Sequence, residues 1–524
     1  MMASTVTDII ANKTRNEEFK IWKKSIPSLY KHISTYKPKF QNSSSLGNNQ
    51  SISVTGLTTT LSTNQNANNK IVFGNKVIPD QSNGTLTTTI YQTQNSDIYE
   101  IDTILPLGVY NIDQSTDIRS LNDTQYEDVT LKRMANTPIK PKWSFQGENI
   151  TKLILNVNNN NNNNNPSNDD SGIIAMAETG SLAWFKNDIK IPVHTLQDAM
   201  GSSTNYSTIQ SATSNISNDF DLSVDGLKLI ASQCNKVVEE SRSCVLKFVD
   251  NGEKVGEIIN SFSIKDVGKI YSVNYFNNTL FSSISEDNII RFWDTRSNSE
   301  NPIFIFNNNT NNSNSTNNNS NENDQGLFLS MDHSSLIDSL FASGSTTGVV
   351  NLWDIRAVFG NSNISARAST SNEYGKIQPE LATINQAGDD EVVDIKFSNT
   401  SPTDLISIGS SGNVYHWNME PFFSSHSQDE SEDSSTEYQT LLSDELQREC
   451  LSFLHTGGNR RKAMAKGQAT HATSSISYKN TVALHPRING LTGTVDPDNL
   501  LTVYLPFAGR AAEEAMDKVQ SASM

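Results

Sequence analysis

Phe281-Ser-Ser-Ile-Ser-Glu-Asp-Asn-Ile-Ile-Arg-Phe-Trp-Asp294 and Phe341-Ala-Ser-Gly-Ser-Thr-Thr-Gly-Val-Val-Asn-Leu-Trp-Asp354 share one layout. Each opens on an apolar strand, passes through a tight polar turn, continues as an alternating strand and ends on Trp-Asp. Alternation on both sides of a turn spells a β-hairpin. The repeated Trp-Asp makes that hairpin the back half of a WD40 propeller blade, four strands in roughly 40–45 residues. The expected fold is all-β: a seven-bladed WD40 β-propeller with an N-terminal α-helix and disordered Asn-rich insertions. Such a disc docks other molecules far more often than it catalyses.

Seven stretches read as the third strand of a blade: Asp97–Asp102, Ser181–Phe185, Cys244–Asp250, Ile289–Arg296, Val349–Arg356, Asn413–Asn418 and Leu500–Leu505. Turn residues precede most of them, as in Thr179-Gly180, Glu286-Asp287-Asn288 and Ser411-Gly412. The intervals Trp293 to Trp353 and Trp353 to Trp417 are about 60 residues, longer than the repeat of roughly 40–45. The Asn tract at 307–323 accounts for the first excess and the segment Asn361–Gln378 for the second. Long surface loops cost little conformational free energy, so the repeat survives them. Trp293, Asp294, Trp353, Asp354 and Trp417 are therefore structural positions. The Trp packs between adjacent sheets, and the polar residue after it caps the strand.

The chain of 524 residues divides into a tail at 1–15, an N-terminal helix at 16–36, a low-complexity linker at 41–69, a propeller at 70–507 and a C-terminal tail at 508–524. Insertions are expected at 156–170, 307–324, 361–378 and 424–448. The helix expectation rests on Phe19, Trp22, Ile26, Leu29, Tyr30 and Ile33, whose spacing makes one apolar stripe, with Pro27 as a kink. So aromatic a stripe belongs against the side of the propeller or against a partner helix.

The net charge of −17 argues against a nucleic-acid-binding disc, because phosphate recognition needs a basic field. It suits basic protein partners or serves solubility alone. Cys234, Cys244 and Cys450 show no paired or metal-ligand spacing, which predicts a reducing compartment. The first 20 residues have no apolar core like that of a signal peptide, and no stretch approaches the roughly 18 apolar residues of a membrane span. The expectation is a soluble intracellular chain. Eight histidines are scattered without metal spacing. No nucleophile elbow, phosphate loop or zinc-protease helix is present. No catalytic, cofactor or metal residue is expected.

Two charged segments lie off the repeats. The Ser-rich stretch 424–435 carries Asp429, Glu430, Glu432 and Asp433, clustered carboxylates that would attract a basic peptide. Its plain alternative is a disordered, phosphorylated loop. Arg460, Arg461 and Lys462 form a basic run that reads as a nuclear import signal, a contact for an acidic partner, or solvated surface.

Glu17-Glu-Phe-Lys-Ile-Trp-Lys-Lys-Ser-Ile-Pro-Ser-Leu-Tyr30 resembles the N-terminal helix of the retinoblastoma-associated histone-binding WD proteins. In that family the helix and an acidic insertion loop together form a groove for a histone helix. The match is closer to the fungal WTM/UME group of WD-repeat transcriptional modulators. It is carried by Ile21 to Phe40, Gly180-Ser-Leu-Ala-Trp-Phe-Lys186, Asp287-Asn-Ile-Ile-Arg-Phe-Trp-Asp-Thr-Arg296, Gly412-Asn-Val-Tyr-His-Trp-Asn418 and Phe453-Leu-His-Thr-Gly-Gly-Asn-Arg-Arg461, blocks spread over nearly the whole chain. The resemblance implies a non-catalytic scaffold subunit of a nuclear corepressor complex containing histone deacetylase and Sin3-type subunits, with the cytoplasm as a second compartment. Two alternatives stay open: a nuclear anchor for the ribonucleotide reductase small subunit, and a histone-binding chaperone subunit. Trp22, Leu29 and Tyr30 carry over as the partner-binding helix residues, and Glu430, Glu432 and Asp433 as the acidic loop. Where histone-binding relatives tend to read Gly-Gly-His, this chain has Gly457-Gly458-Asn459 followed by Arg460, Arg461 and Lys462. A basic insertion beside the groove would weaken attraction for a histone helix.

Overall fold

The computed structural model describes residues 30–41, 69–107, 138–145, 148–156, 172–187, 189–196, 218–234, 244–265, 267–297, 301–307, 326–356, 380–386, 390–421, 450–456, 479–496 and 499–506. They form 28 strands in seven antiparallel four-stranded sheets, with no helix among the described elements.

The chain begins with β1 (Tyr30–Tyr36). Blade one is β2 (Ile71–Asp80), β3 (Thr85–Gln94), β4 (Asp97–Pro106) and β5 (Trp143–Ser144). Blade two is β6 (Ile150–Asn156), β7 (Gly172–Ala177), β8 (Leu182–Phe185) and β9 (His194–Leu196). Blade three is β10 (Phe220–Leu222), β11 (Lys228–Cys234), β12 (Cys244–Asp250) and β13 (Ile258–Ile264), and blade four is β14 (Ile270–Tyr275), β15 (Leu280–Ser285), β16 (Ile289–Asp294) and β17 (Phe304–Asn307). Blade five is β18 (Phe328–His333), β19 (Leu340–Ser345), β20 (Val349–Asp354) and β21 (Glu380–Asn385). Blade six is β22 (Val392–Phe397), β23 (Asp404–Gly409), β24 (Val414–Asn418) and β25 (Leu451–His455). Blade seven takes β26 (Val482–Leu484), β27 (Thr492–Val495) and β28 (Leu501–Pro506), and its fourth strand is β1, paired antiparallel to β28.

All seven stretches read as third strands occupy that place in their sheets. The turns before them share a device. Asn95, Gly180, Asn288, Gly348, Gly412 and Asn499 have positive φ, a conformation that Asn and Gly adopt at least cost. Asn288 also reaches the next blade, its Oδ1 accepting the Phe328 N–H at 2.8 Å.

Each Trp of the motif packs as its spacing predicts. Trp293 lies between blades three and four, Trp353 between four and five, and Trp417 between five and six. Their indole N–H groups donate to Ser283, Ser343 and Ser407 on the neighbouring second strand at 2.8–3.0 Å. Asp294 and Asp354 close the strand ends by accepting the backbone N–H and the guanidinium of Arg296 and Arg356. Close approach fixes Gly344, where an added Cβ would lie 2.3 Å from Val392 Cγ1 of the next blade.

The buried core is a ring of seven apolar clusters, each shared by two consecutive sheets, the last joining blade seven to blade one. β1 completes the seventh sheet, which otherwise has three strands, and adds Tyr36 to the closing cluster. Here the structure corrects the helix expected over 16–36. Residues 30–36 are a strand, with Tyr36 buried in the cluster between blades seven and one, while 16–29 lie outside the described residues. Apolar spacing suited a helix, but the open edge of β28 offered Tyr30–Tyr36 a full ladder of partners, and tertiary pairing prevailed. The cysteine expectation also changes. Cys244 is disulfide-bonded, and Cys234 stands opposite it in the β11–β12 register; Cys450 is free and buried.

Candidate interaction surface

Tyr30, where the described chain begins, is the one residue of the expected helix site that the structure places. Its hydroxyl is hydrogen-bonded to His455 Nδ1 of blade six at 2.9 Å, and its ring meets Phe453 edge-on with centroids 4.9 Å apart. Tyr504 of β28 completes the contact: it stacks on His455 at 4.1 Å, and its hydroxyl is bonded to His416 Nε2 at 2.9 Å. The seam between blades six and seven thus carries a cluster of aromatic and imidazole rings. Burial pushes the Tyr30 phenol up to about 12, the His416 imidazole down to about 3 and that of His32 down to about 4. His416, His32 and Tyr30 are therefore neutral near pH 7. The seam can bind through ring faces and neutral hydrogen bonds from these three groups. Leu451 and Leu454 stand exposed beside it on β25.

Trp22, Leu29, Glu430, Glu432, Asp433, Arg460, Arg461 and Lys462 lie outside the described residues. The strands around them still fix where each segment joins the disc. In every blade the first-to-second and third-to-fourth connections leave at one end, and the remaining connections at the other. The chain before Tyr30 and the 422–449 segment between β24 and β25 both join at the first of these ends, on neighbouring blades. The 457–478 segment between β25 and β26 joins at the opposite end. The strand order brings the attachment points of the expected helix and acidic loop together and separates them from that of the basic run.

The sequence reading missed a set of charges at the centre. First strands line the axis, and carboxylates at or beside them tie blades three to four, five to six and six to seven. Asp219 and Asp221 accept the N–H groups of Val273 and Tyr275 at 3.1 and 2.7 Å, Asp332 that of Phe397 at 2.7 Å and Asp394 that of Asn480 at 2.9 Å. Lys152 pairs with Asp219 at 2.8 Å. Burial alone would raise the Asp219 pKa, but Lys152 and Lys479 hold it below the usual carboxylate range. Lys479 reaches across to Asp219 and to the Tyr271 carbonyl, and Lys70 Nζ donates to the Lys479 carbonyl at 2.6 Å. Burial lowers the Lys70 pKa to about 8. These groups pair with one another across several blades and act as a polar hub. Carboxylates on an alternating strand give no signal of this, because seven distant segments must first converge. Among the described residues no group of three His, Cys, Asp or Glu side chains could hold a metal ion, and no helix is long and apolar enough to cross a membrane.

The chain is 37% identical over 504 residues to "Transcriptional modulator WTM2" of Saccharomyces cerevisiae, covering 93% of this chain and 94% of that protein. The chain belongs to the WTM/UME family of transcriptional modulators. Two further yeast members agree: "Transcriptional modulator WTM1" at 34% identity, covering 93% of this chain and 98% of that one, and "Transcriptional regulatory protein UME1" at 33%, covering 96% of each. A scan of family models finds no match. Among solved structures, Chaetomium thermophilum Raptor aligns at 10% identity with a TM-score of 0.42, covering 85% of this chain and 29% of that one, a likeness too distant to inform function. The family assignment covers both the blades and the segments between them.

Proposed function

We propose that this chain, like the transcriptional modulators it resembles, is a non-catalytic scaffold in the nucleus, a subunit of a corepressor complex with histone deacetylase and Sin3-type partners. Near-full-length similarity to three proteins named as transcriptional modulators or regulators carries this reading. The closed propeller supports it, because a rigid disc presents surface at little entropic cost. The proposed contact surface is the blade six to seven seam with the segments that join beside it, the chain before Tyr30 with Trp22 and Leu29, and the acidic stretch with Glu430, Glu432 and Asp433. Affinity would concentrate in a few aromatic anchors.

Affinity purification of the full chain from nuclear extract tests the proposal. Deacetylase and Sin3-type subunits should co-purify, and tethering the chain upstream of a reporter should lower its transcription. Recovery of the ribonucleotide reductase small subunit without deacetylase would overturn the reading in favour of an enzyme anchor. Recovery of histones alone would favour a chaperone role.

A further inference from the structure

A cleft of about 440 Å³ opens on the rim of blade three where it meets blade four. Phe248, Ile259 and Phe262 form its apolar wall, and Lys228 and Thr295 supply its polar groups. Lys228 opens β11, and its backbone N–H is held by Ser223 Oγ at 2.9 Å. Among the described residues, no acceptor or carboxylate meets its ammonium. The Thr295 hydroxyl is buried and also lacks a partner. Burying an unsatisfied hydroxyl is unfavourable, so both groups favour an incoming ligand that satisfies them.

The wall continues outward onto β13, the last strand of its sheet, whose outer edge is unpaired. Ile258 and Ile259 at its start are 41% and 57% exposed. Soluble proteins usually blunt such edges with charge or proline, whereas this edge carries two adjacent isoleucines. The cleft lining holds a lysine and no carboxylate, in a chain whose net charge is −17. Lys228 is the one charged group among these lining residues, and it favours an acidic group. A free anion would use Lys228 alone. An open strand edge and an apolar wall call for a polypeptide.

We infer that this cleft binds an extended segment of a partner protein that crosses the open edge of β13 toward β11. An apolar side chain of the segment rests on Phe248, Ile259 and Phe262, and a carboxylate two residues along meets Lys228. The two side chains fall on one face because strand side chains alternate with period two. The site is on blade three, apart from the blade six to seven seam, and stands whether or not the corepressor reading does.

Fluorescence polarisation with the full chain tests this, using fluorescein-labelled eight-residue Thr/Ser peptides that carry Ile-Thr-Asp, Ile-Thr-Lys or Ser-Thr-Asp. The Ile-Thr-Asp peptide should bind about tenfold more tightly than either control. Lys228→Glu should reverse the preference between the aspartate and lysine peptides, and Ile259→Ser should weaken both. Because the Lys228 ammonium holds nothing in the fold, K228E should melt at the wild-type temperature. Equal binding of the aspartate and lysine peptides, or an unchanged order in K228E, would overturn the inference. So would the absence of binding at about 1 mM peptide, or displacement by glutarate as effective as by the peptide.

Discussion

Asp332 and Asp221 show what the polar hub costs. Burial pushes both carboxyls up to about 6 from the usual 3.8, despite the backbone N–H groups that favour their charged forms. Between pH 3.8 and 6 the folded chain holds protons there that the unfolded chain has released. Their contribution to stability is therefore present below 3.8 and lost as pH rises through 6. His416 and His485 run the other way, since burial lowers them from 6.5 to about 3 and about 4. Their neutral forms stabilise the fold above pH 6.5, and that stability is lost as pH falls toward 4. The two effects oppose each other between about pH 4 and 6. Asp332→Asn keeps an acceptor for the Phe397 N–H and removes the ionisation. It should raise stability at pH 7.5 by about 1–3 kcal/mol and steepen the decline between pH 6 and 5. Urea unfolding at the two pH values checks this, and a lower midpoint for D332N at pH 7.5 would sink the assignment.

At the scale of elements, local signals made third strands legible and left β1 unread. Asn288, Gly348 and Gly412 announce their turns, and Trp-Asp announces the strand end, all within a dozen residues. Tyr30–Tyr36 had no such mark, and Phe19 to Ile33 supplied a helical spacing that ran straight into it. What made it a strand is β28, far along the sequence. The candidate surface was legible only as residue types: Tyr30 was named, but His416, His455 and Tyr504 become its neighbours only after the ring closes. Lys228 and Thr295 gave no sign at all. Because β1 is an outer strand, alternate N–H groups face β28 and solvent. One of Ser34→Pro and Thr35→Pro should therefore remove a ladder bond and expose β28 to hydrogen exchange, while the other is tolerated. Equal tolerance of both prolines would contradict the closure role of β1.

Across the whole molecule, stability is distributed around seven interfaces that differ in make-up. Among the described residues, the cluster between blades six and seven has five buried apolar residues, Val393, Ile406, Ile408, Val414 and Val482. The cluster between blades seven and one has fourteen, Tyr36 and Leu505 among them. Burial of apolar area sets most of the cohesion, so the first of these interfaces is the thinnest. The ring and imidazole contacts of the seam supplement it with directional bonds. Hydrogen exchange followed by mass spectrometry should find β26 opening before β14 or β18, through local rather than global unfolding. Val482→Ala should accelerate that opening and leave blades three to five unchanged. Uniform protection around the ring would show that the His416–Tyr504 and Tyr30–His455 bonds make up the difference.

The pairing of β1 with β28 also orders events during biosynthesis. A ribosome releases Tyr30–Tyr36 long before Leu501–Pro506. At the typical elongation rate of about 5–20 residues per second, the first strand waits on the order of half a minute or more for its partner. Throughout that interval blades one to six can assemble as an open arc with an apolar face at each end. The nascent chain is then most exposed to chaperones and to wrong pairing just before β28 emerges.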